Sequence, residues 1–272
     1  MIVCFVQPSM IKNKPLSLLL RFFGFNRPAP KTRFARSLRR AEPIVLAVLL
    51  LYVALQVFPQ VLFAHSLTTQ GITFYSRTPI PPEAVSCAAG ARALLHHSEL
   101  AAPDRHERIF VCNSPWLFRL FAPMSADALG ISLPWTDAIF LKQADFRSNI
   151  ASIPSPQHNT RSLSSVAAHE ITHGLIRRRL GLFRGILLPS WVAEGYCDYM
   201  AQGSTFPTAE GLRLMASGKS DPSMSFRYFE DRQMVRYLMD EQHLSFAQVV
   251  SRAHEYDTVK AETRGWLQSH PN

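Results

Sequence analysis

SLSSVAAHEITHGLIRRRLG, residues 162–181, is the stretch on which the reading of this chain turns. Val166, Ile171, Leu175 and Ile176 supply apolar positions of a helix, Ser162 or Ser164 can cap its start, and Gly181 follows its last turn. Arg177, Arg178 and Arg179 suit the negative end of the helix macrodipole. On such a helix His169 and His173 stand at i and i+4 and share one face, so two imidazoles can reach one divalent ion. Glu170, between them, is placed to face the water that such an ion holds and to take its proton. A zinc site that does chemistry uses three protein groups and leaves the fourth position open. The third candidate lies downstream in SWVAEGYCDY, residues 190–199, which reads as a second helix carrying Glu194. Asp198, one turn further, can fix the free ring nitrogen of a ligating histidine. The expectation is one Zn2+ per chain.

HEITH followed by LPSWVAEG, residues 188–195, resembles the gluzincin metallopeptidases, the superfamily of thermolysin and the zinc aminopeptidases. The likeness is greatest to small membrane-associated members with Trp-x-x-Glu-Gly after the zinc helix, and it runs from about Ile109 to Leu238. The resemblance implies an α+β, zincin-like domain: a small mixed sheet, a zinc helix and a helical C-terminal part. It implies His169, His173 and Glu194 as ligands, Glu170 as general base and Asp198 as the group that orients a histidine. It also implies an oxyanion-stabilising side chain, for which Tyr228 in FRYFEDRQMVRYL stands, with Tyr196 and Tyr199 as rivals. Ile139, Phe140 and Leu141 resemble the edge strand that pairs with peptide backbone in that family. Cys197 departs from the pattern, since a small residue is usual there. It reads either as a small apolar core group or as a redox-sensitive neighbour of the metal.

The net charge of +9 is not a nucleic-acid signature, because residues 1–41 hold nine Lys or Arg and no acid. Beyond them the chain is balanced, and no aromatic-basic pattern, phosphate loop or internal repeat appears. The excess stands before PIVLAVLLLYVALQVFPQVLFA, residues 43–64, which carries no charge. That order predicts a basic cytoplasmic leader over 1–42 and a transmembrane signal-anchor over 43–64, with a cleavable signal peptide as the rival reading. A linker or early strand over 65–82 and the catalytic domain over 83–272 would then lie on the outer side, which is periplasmic if the protein is bacterial.

Glu83–Ser98 reads as a helix, and Arg108–Cys112 and Asp137–Leu141 as strands. Cys87 and Cys112, both expected outside the cytoplasm, are candidates for a disulfide. Residues 181–189 are an apolar connection that could touch lipid beside the three arginines. Helices are expected over 228–241, over 245–254 capped by Ser245 and over 257–267 capped by Asp257. The function expected is hydrolysis of peptide bonds by a metal-activated water. The alternative is an inactive gluzincin-like domain that holds a partner at the membrane. An intramembrane protease is excluded because the zinc helix is too short and too polar at its flanks.

Overall fold

The computed structural model describes residues 32–102, 104–125, 127–152 and 160–270. Most of the basic leader, and the prolines at 154 and 156, lie outside them. The chain divides into two compact units, Met1–Ala54 and Leu55–Asn272. In the first, helix α1 (Arg33–Val57) passes through Pro43 and exposes apolar side chains all round from Ile44 onward.

The apolar run expected over 43–64 is not one continuous helix. Helix α1 ends at Val57, Phe58 leaves the helical region (φ −120°, ψ 56°) ahead of Pro59, and Pro59–Leu62 forms a 3-10 turn. Phe63 then packs against Phe110 and Phe121. Helix α1 is about 37 Å long in all, and its charge-free part runs from Pro43 to Val57. Among the described residues no helix is long and apolar enough to cross a membrane.

The second unit is an α+β domain. Of the two readings of residues 65–82, linker or early strand, the structure shows strands, β1 (His65–Thr69) and β2 (Ile72–Ser76), with Ile72 and Phe74 fully buried. Helix α2 (Ala84–Leu95) leads to β3 (Glu107–Val111), and α3 (Pro115–Phe121) precedes β4 (Gly130–Ser132) and β5 (Ile139–Leu141). The five strands lie in the order β1-β2-β3-β5-β4. The pairs β2-β3 and β3-β5 are parallel, while β1 and β4 are antiparallel to their neighbours. Strand alternation sorts the core onto two faces. Ile109, Val111, Ile139 and Leu141 join the core that includes α2 and the HEITH helix, whereas Phe110, Cys112 and Phe140 pack with Leu117, Phe118 and Phe121 of α3.

Two expectations fall with this topology. Ile139, Phe140 and Leu141 form an inner strand, all but fully buried between β3 and β4, and so are not the edge strand. Cys87 and Cys112 are both free. The alternation of β3 turns Cys112 to the face opposite α2, and the Cys87 thiol instead donates to the Phe146 carbonyl at 3.5 Å. Burial pushes Cys87 up to about 11 and Cys112 up to about 12, so neither offers a thiolate at neutral pH.

A small antiparallel sheet, β6 (Ala144–Asp145), β7 (Ile150–Ser152) and β8 (Thr160–Ser162), feeds directly into the HEITH helix α4 (Leu163–Leu180). The Ser162 hydroxyl caps α4 by accepting from the Ser165 amide at 3.0 Å. Then come α5 (Leu182–Ile186), α6 (Ser190–Ala201), α7 (Thr208–Ser217) and α8 (Met224–Arg236). A π turn (Tyr237–Glu241), α9 (Phe246–Ser251) and α10 (Tyr256–Ser269) complete the helical C-terminal part. Ser245 makes a full capping box with Gln248, as its position suggested. Asp257 does not cap α10; Glu255 holds that place and Asp257 sits in the first turn.

Candidate metal centre

Helix α4 presents His169 and His173 from successive turns, and α6 crosses it with Glu194 and Asp198 on the facing side. Gly195 makes room for that arrangement, because a Cβ there would lie 2.5 Å from the Asp231 carbonyl oxygen of α8. Trp191 fixes the start of α6 by donating its indole N–H to the Ala253 carbonyl at 2.8 Å. Strand β4 passes on the other side of α4.

The His169 and His173 Nε2 atoms are 3.2 Å apart. Glu194 Oε2 lies 3.2 Å from the first and 3.5 Å from the second. Bonds of about 2.0–2.1 Å to a tetrahedral zinc ion require donors about 3.3–3.4 Å apart, so the three atoms match one face of such a tetrahedron. A second set shares both histidines: one ligand atom each from His169, His173 and Cys197 lie within 4.8 Å of one another, and this buried group could hold a metal ion. The two third donors differ chemically. Burial opposes the charge of Glu194, yet His173 and His169 hold its carboxyl well below the usual range. Burial pushes the Cys197 thiol well above its usual range, with no compensating cation close enough to reverse it. Cys197 is fully buried in the core and stands beside the two histidines.

Behind the histidine stands a relay of fixed groups. His169 Nδ1 meets Asp198 Oδ1 at 2.7 Å, which leaves Nε2 to point at Glu194 and His173. Arg161, from β8, donates to the same Asp198 oxygen at 2.8 Å and to the Ser165 hydroxyl at 3.0 Å, and that hydroxyl donates to the Ala201 carbonyl. Burial works against charge on His169, but the Asp198 carboxylate and its hydrogen bond, with Glu194, carry it up to about 10. Burial also works against charge on Asp198, yet Arg161 and His169 hold it below the usual carboxylate range.

Glu170 is buried beside the histidines. Burial raises its pKa, and His169 and His173 pull it back only in part. Its neighbour across the gap is Gly130, where a Cβ would come within 3.0 Å of Glu170 Oε1 and of Leu141 Cδ2. Tyr228 lies on α8, one turn in from its start, because Ser223 caps α8 by accepting from the Phe226 amide at 3.2 Å. Burial pushes Tyr228 up to about 12, aided by Glu194, Asp198 and Glu170, so it keeps its proton. The rival tyrosines are engaged elsewhere. Tyr196 is fully buried, with its hydroxyl 3.1 Å from Ser98 Oγ, and Tyr199 donates to Asp240.

Sequence reasoning missed two participants. Strand β4 is too short for periodicity to reveal, and Arg161 is a lone arginine with no local pattern around it. Neither a family model nor a curated protein matches this chain.

Proposed function

We propose that this chain is a membrane-anchored zinc peptidase in which His169, His173 and Glu194 hold the ion. The observation that carries the reading is the triangle of donor atoms at 3.2, 3.2 and 3.5 Å, which suits tetrahedral zinc with one position left over. An ion held there would supply a Lewis acid and bring the pKa of a bound water towards about 7. Glu170 takes the proton from the attacking water and returns it to the leaving amine, a role suited to a buried carboxyl with a raised pKa. Tyr228, still protonated, donates to the carbonyl oxygen as charge develops on it. Strand β4 ends the sheet, and among the described residues no strand pairs with its outer side. It therefore offers backbone N–H and C=O groups to an extended polypeptide beside Glu170.

The membrane part of the proposal rests on α1. Its exposed apolar side chains, followed by exposed Phe58 and Val61, give residues 43–64 the character of an anchor, with the basic leader on the cytoplasmic side and the catalytic domain outside.

Elemental analysis of the purified full chain beside a peptide-library cleavage assay tests the reading. Wild type is expected to carry one zinc and cleave, and His173→Ala to lose both. Glu170→Gln is expected to keep the zinc while turnover drops by about 10²–10⁴-fold. A Glu170→Gln protein as active as wild type would refute the mechanism. A metal-free wild type, purified with zinc supplied, would favour the binding-protein alternative.

A further inference from the structure

Gly181, at φ +84°, turns the chain sharply off the end of α4 into α5. Gly185 brings α5 back against α4, since a Cβ there would lie 2.8 Å from Arg177 Cα. No residue of α5 is buried. Phe183 is 78% exposed and Leu187 79%, with Leu182 and Ile186 exposed beside them. A helix of this length that buries nothing has little to hold it in water.

A second exposed aromatic is tied to the same helix end. Arg177 donates to the Ser132 hydroxyl at 2.6 Å and to Asp137 Oδ1 at 3.0 Å, and Arg178 donates to Asp137 Oδ2 at 2.6 Å. These bonds pin the β4–β5 turn to the C-terminal end of α4, and Trp135 on that turn is 61% exposed. The carboxylate beside Trp135, Asp137, is taken up by Arg105, Arg177 and Arg178, and the charges left exposed on α5 and the end of α4 are basic. Arg179 and Arg184 are exposed, and the sequence holds no acid between Glu170 and Glu194.

We infer that α5 and Trp135 form a bilayer-contacting surface that holds the metal helix and β4 against anionic lipid. Leucine, isoleucine, phenylalanine and tryptophan interleaved with guanidinium groups, the Asp137 carboxylate being held in ion pairs with Arg105, Arg177 and Arg178, suit a headgroup layer. A second copy of the chain fits poorly, because it would set arginines against arginines. The inference rests on the anchoring proposed above and deepens it: substrates would be polypeptide segments lying close to the membrane surface.

The test uses the full chain reconstituted in phosphatidylcholine vesicles, with and without phosphatidylglycerol. Flotation reads the anchor. Quenching of tryptophan by acyl-brominated lipid reads the patch, with the difference between Trp116→Phe and Trp116→Phe/Trp135→Phe isolating Trp135. The expected result is quenching of Trp135 that is stronger with phosphatidylglycerol. Phe183→Ser/Leu187→Ser should reduce it severalfold, and Arg179→Gln/Arg184→Gln should remove the phosphatidylglycerol dependence, with zinc content unchanged in both. A chain that floats while Trp135 ignores brominated lipid overturns the inference and leaves the anchor standing. A chain that does not float refutes the anchor; quenching on adding vesicles would then still support the surface, and its absence would sink both. Emission from Trp135 that shifts with protein concentration but not with lipid would assign the patch to self-association and overturn the proposal.

Discussion

Removing the Asp198 carboxylate separates two jobs that one side chain performs. Its Oδ1 accepts from Arg161 at 2.8 Å and meets His169 Nδ1 at 2.7 Å, and the Arg161 and Asp198 side chains are only 8% and 2% exposed. Asp198→Ala leaves a buried guanidinium without its partner, which costs about 3–5 kcal/mol. For a domain of this size that is a fall in Tm of about 6–20 °C. Asp198→Asn keeps an acceptor for both donors and loses only the charge, so its stability cost is about 1–2 kcal/mol. Zinc affinity responds to the other job. Without an anionic partner His169 is a weaker and less directed ligand, and losses of about 10–100-fold, or 1.4–2.7 kcal/mol, are expected for either variant. Arg161→Met with Asp198→Ala isolates the two effects. The double variant replaces the buried charge by an apolar side chain and should regain much of the lost Tm, yet bind zinc as weakly as Asp198→Ala. Thermal unfolding of the metal-free protein and competition against a chromophoric chelator measure the two quantities. Zinc affinity that recovers together with Tm, or an Asp198→Asn protein that binds zinc like wild type, would refute the assignment of Asp198 as the group that directs His169.

Three further outcomes are expected. Gly195→Ala drives a methyl into the Asp231 carbonyl, so it should cost about 1–3 kcal/mol and loosen zinc by moving Glu194, seen as a lower Tm and a weaker chelator competition. Gly130→Val crowds Glu170 and Leu141 without touching a ligand, so turnover should fall while zinc content stays at one per chain. Asp231 is fully buried, neither of its carboxylate oxygens has a partner, and burial raises it to about 7 from an unfolded value of 3.8. The folded state therefore holds a proton that the unfolded chain has lost between those two values, and stability falls as pH rises through that window. Asp231→Asn should raise Tm clearly at pH 8 and little near pH 4; an equal effect at both would show that the carboxyl is ionised throughout.

The metal helix was legible because its information is local: i and i+4 histidines, a serine cap and a closing glycine all lie within residues 162–181. Glu194 and Asp198 were reachable because they too share one helix, one turn apart. The strand that flanks Glu170 was not, because three residues of β4 carry no period, and the longer apolar run at Ile139 to Leu141 drew the assignment to an inner strand. The cysteine pairing failed on sidedness. A one-residue step along β3 separates the face of Val111 from that of Cys112, and cysteine content says nothing of that step. The apolar run over 43–64 concealed its own break, since hydropathy does not register that Pro59 closes one element and opens another. Helix α7, over Thr208–Ser217, was not among the helices expected.

Strand β4 is held to α4 at two places: Gly130 lies against Glu170, and Ser132 is bonded to Arg177 two helical turns away. A strand pinned at one point could swivel; pinned at two, it keeps its phase with the helix. Side chains alternate along a strand with a repeat of about 6.7 Å, so an extended polypeptide lying on β4 can slip only in steps of two residues without turning every side chain over. Along an unfolded substrate whose residues alternate apolar and polar, cleavage positions would then share a parity, odd or even, counted from any fixed residue.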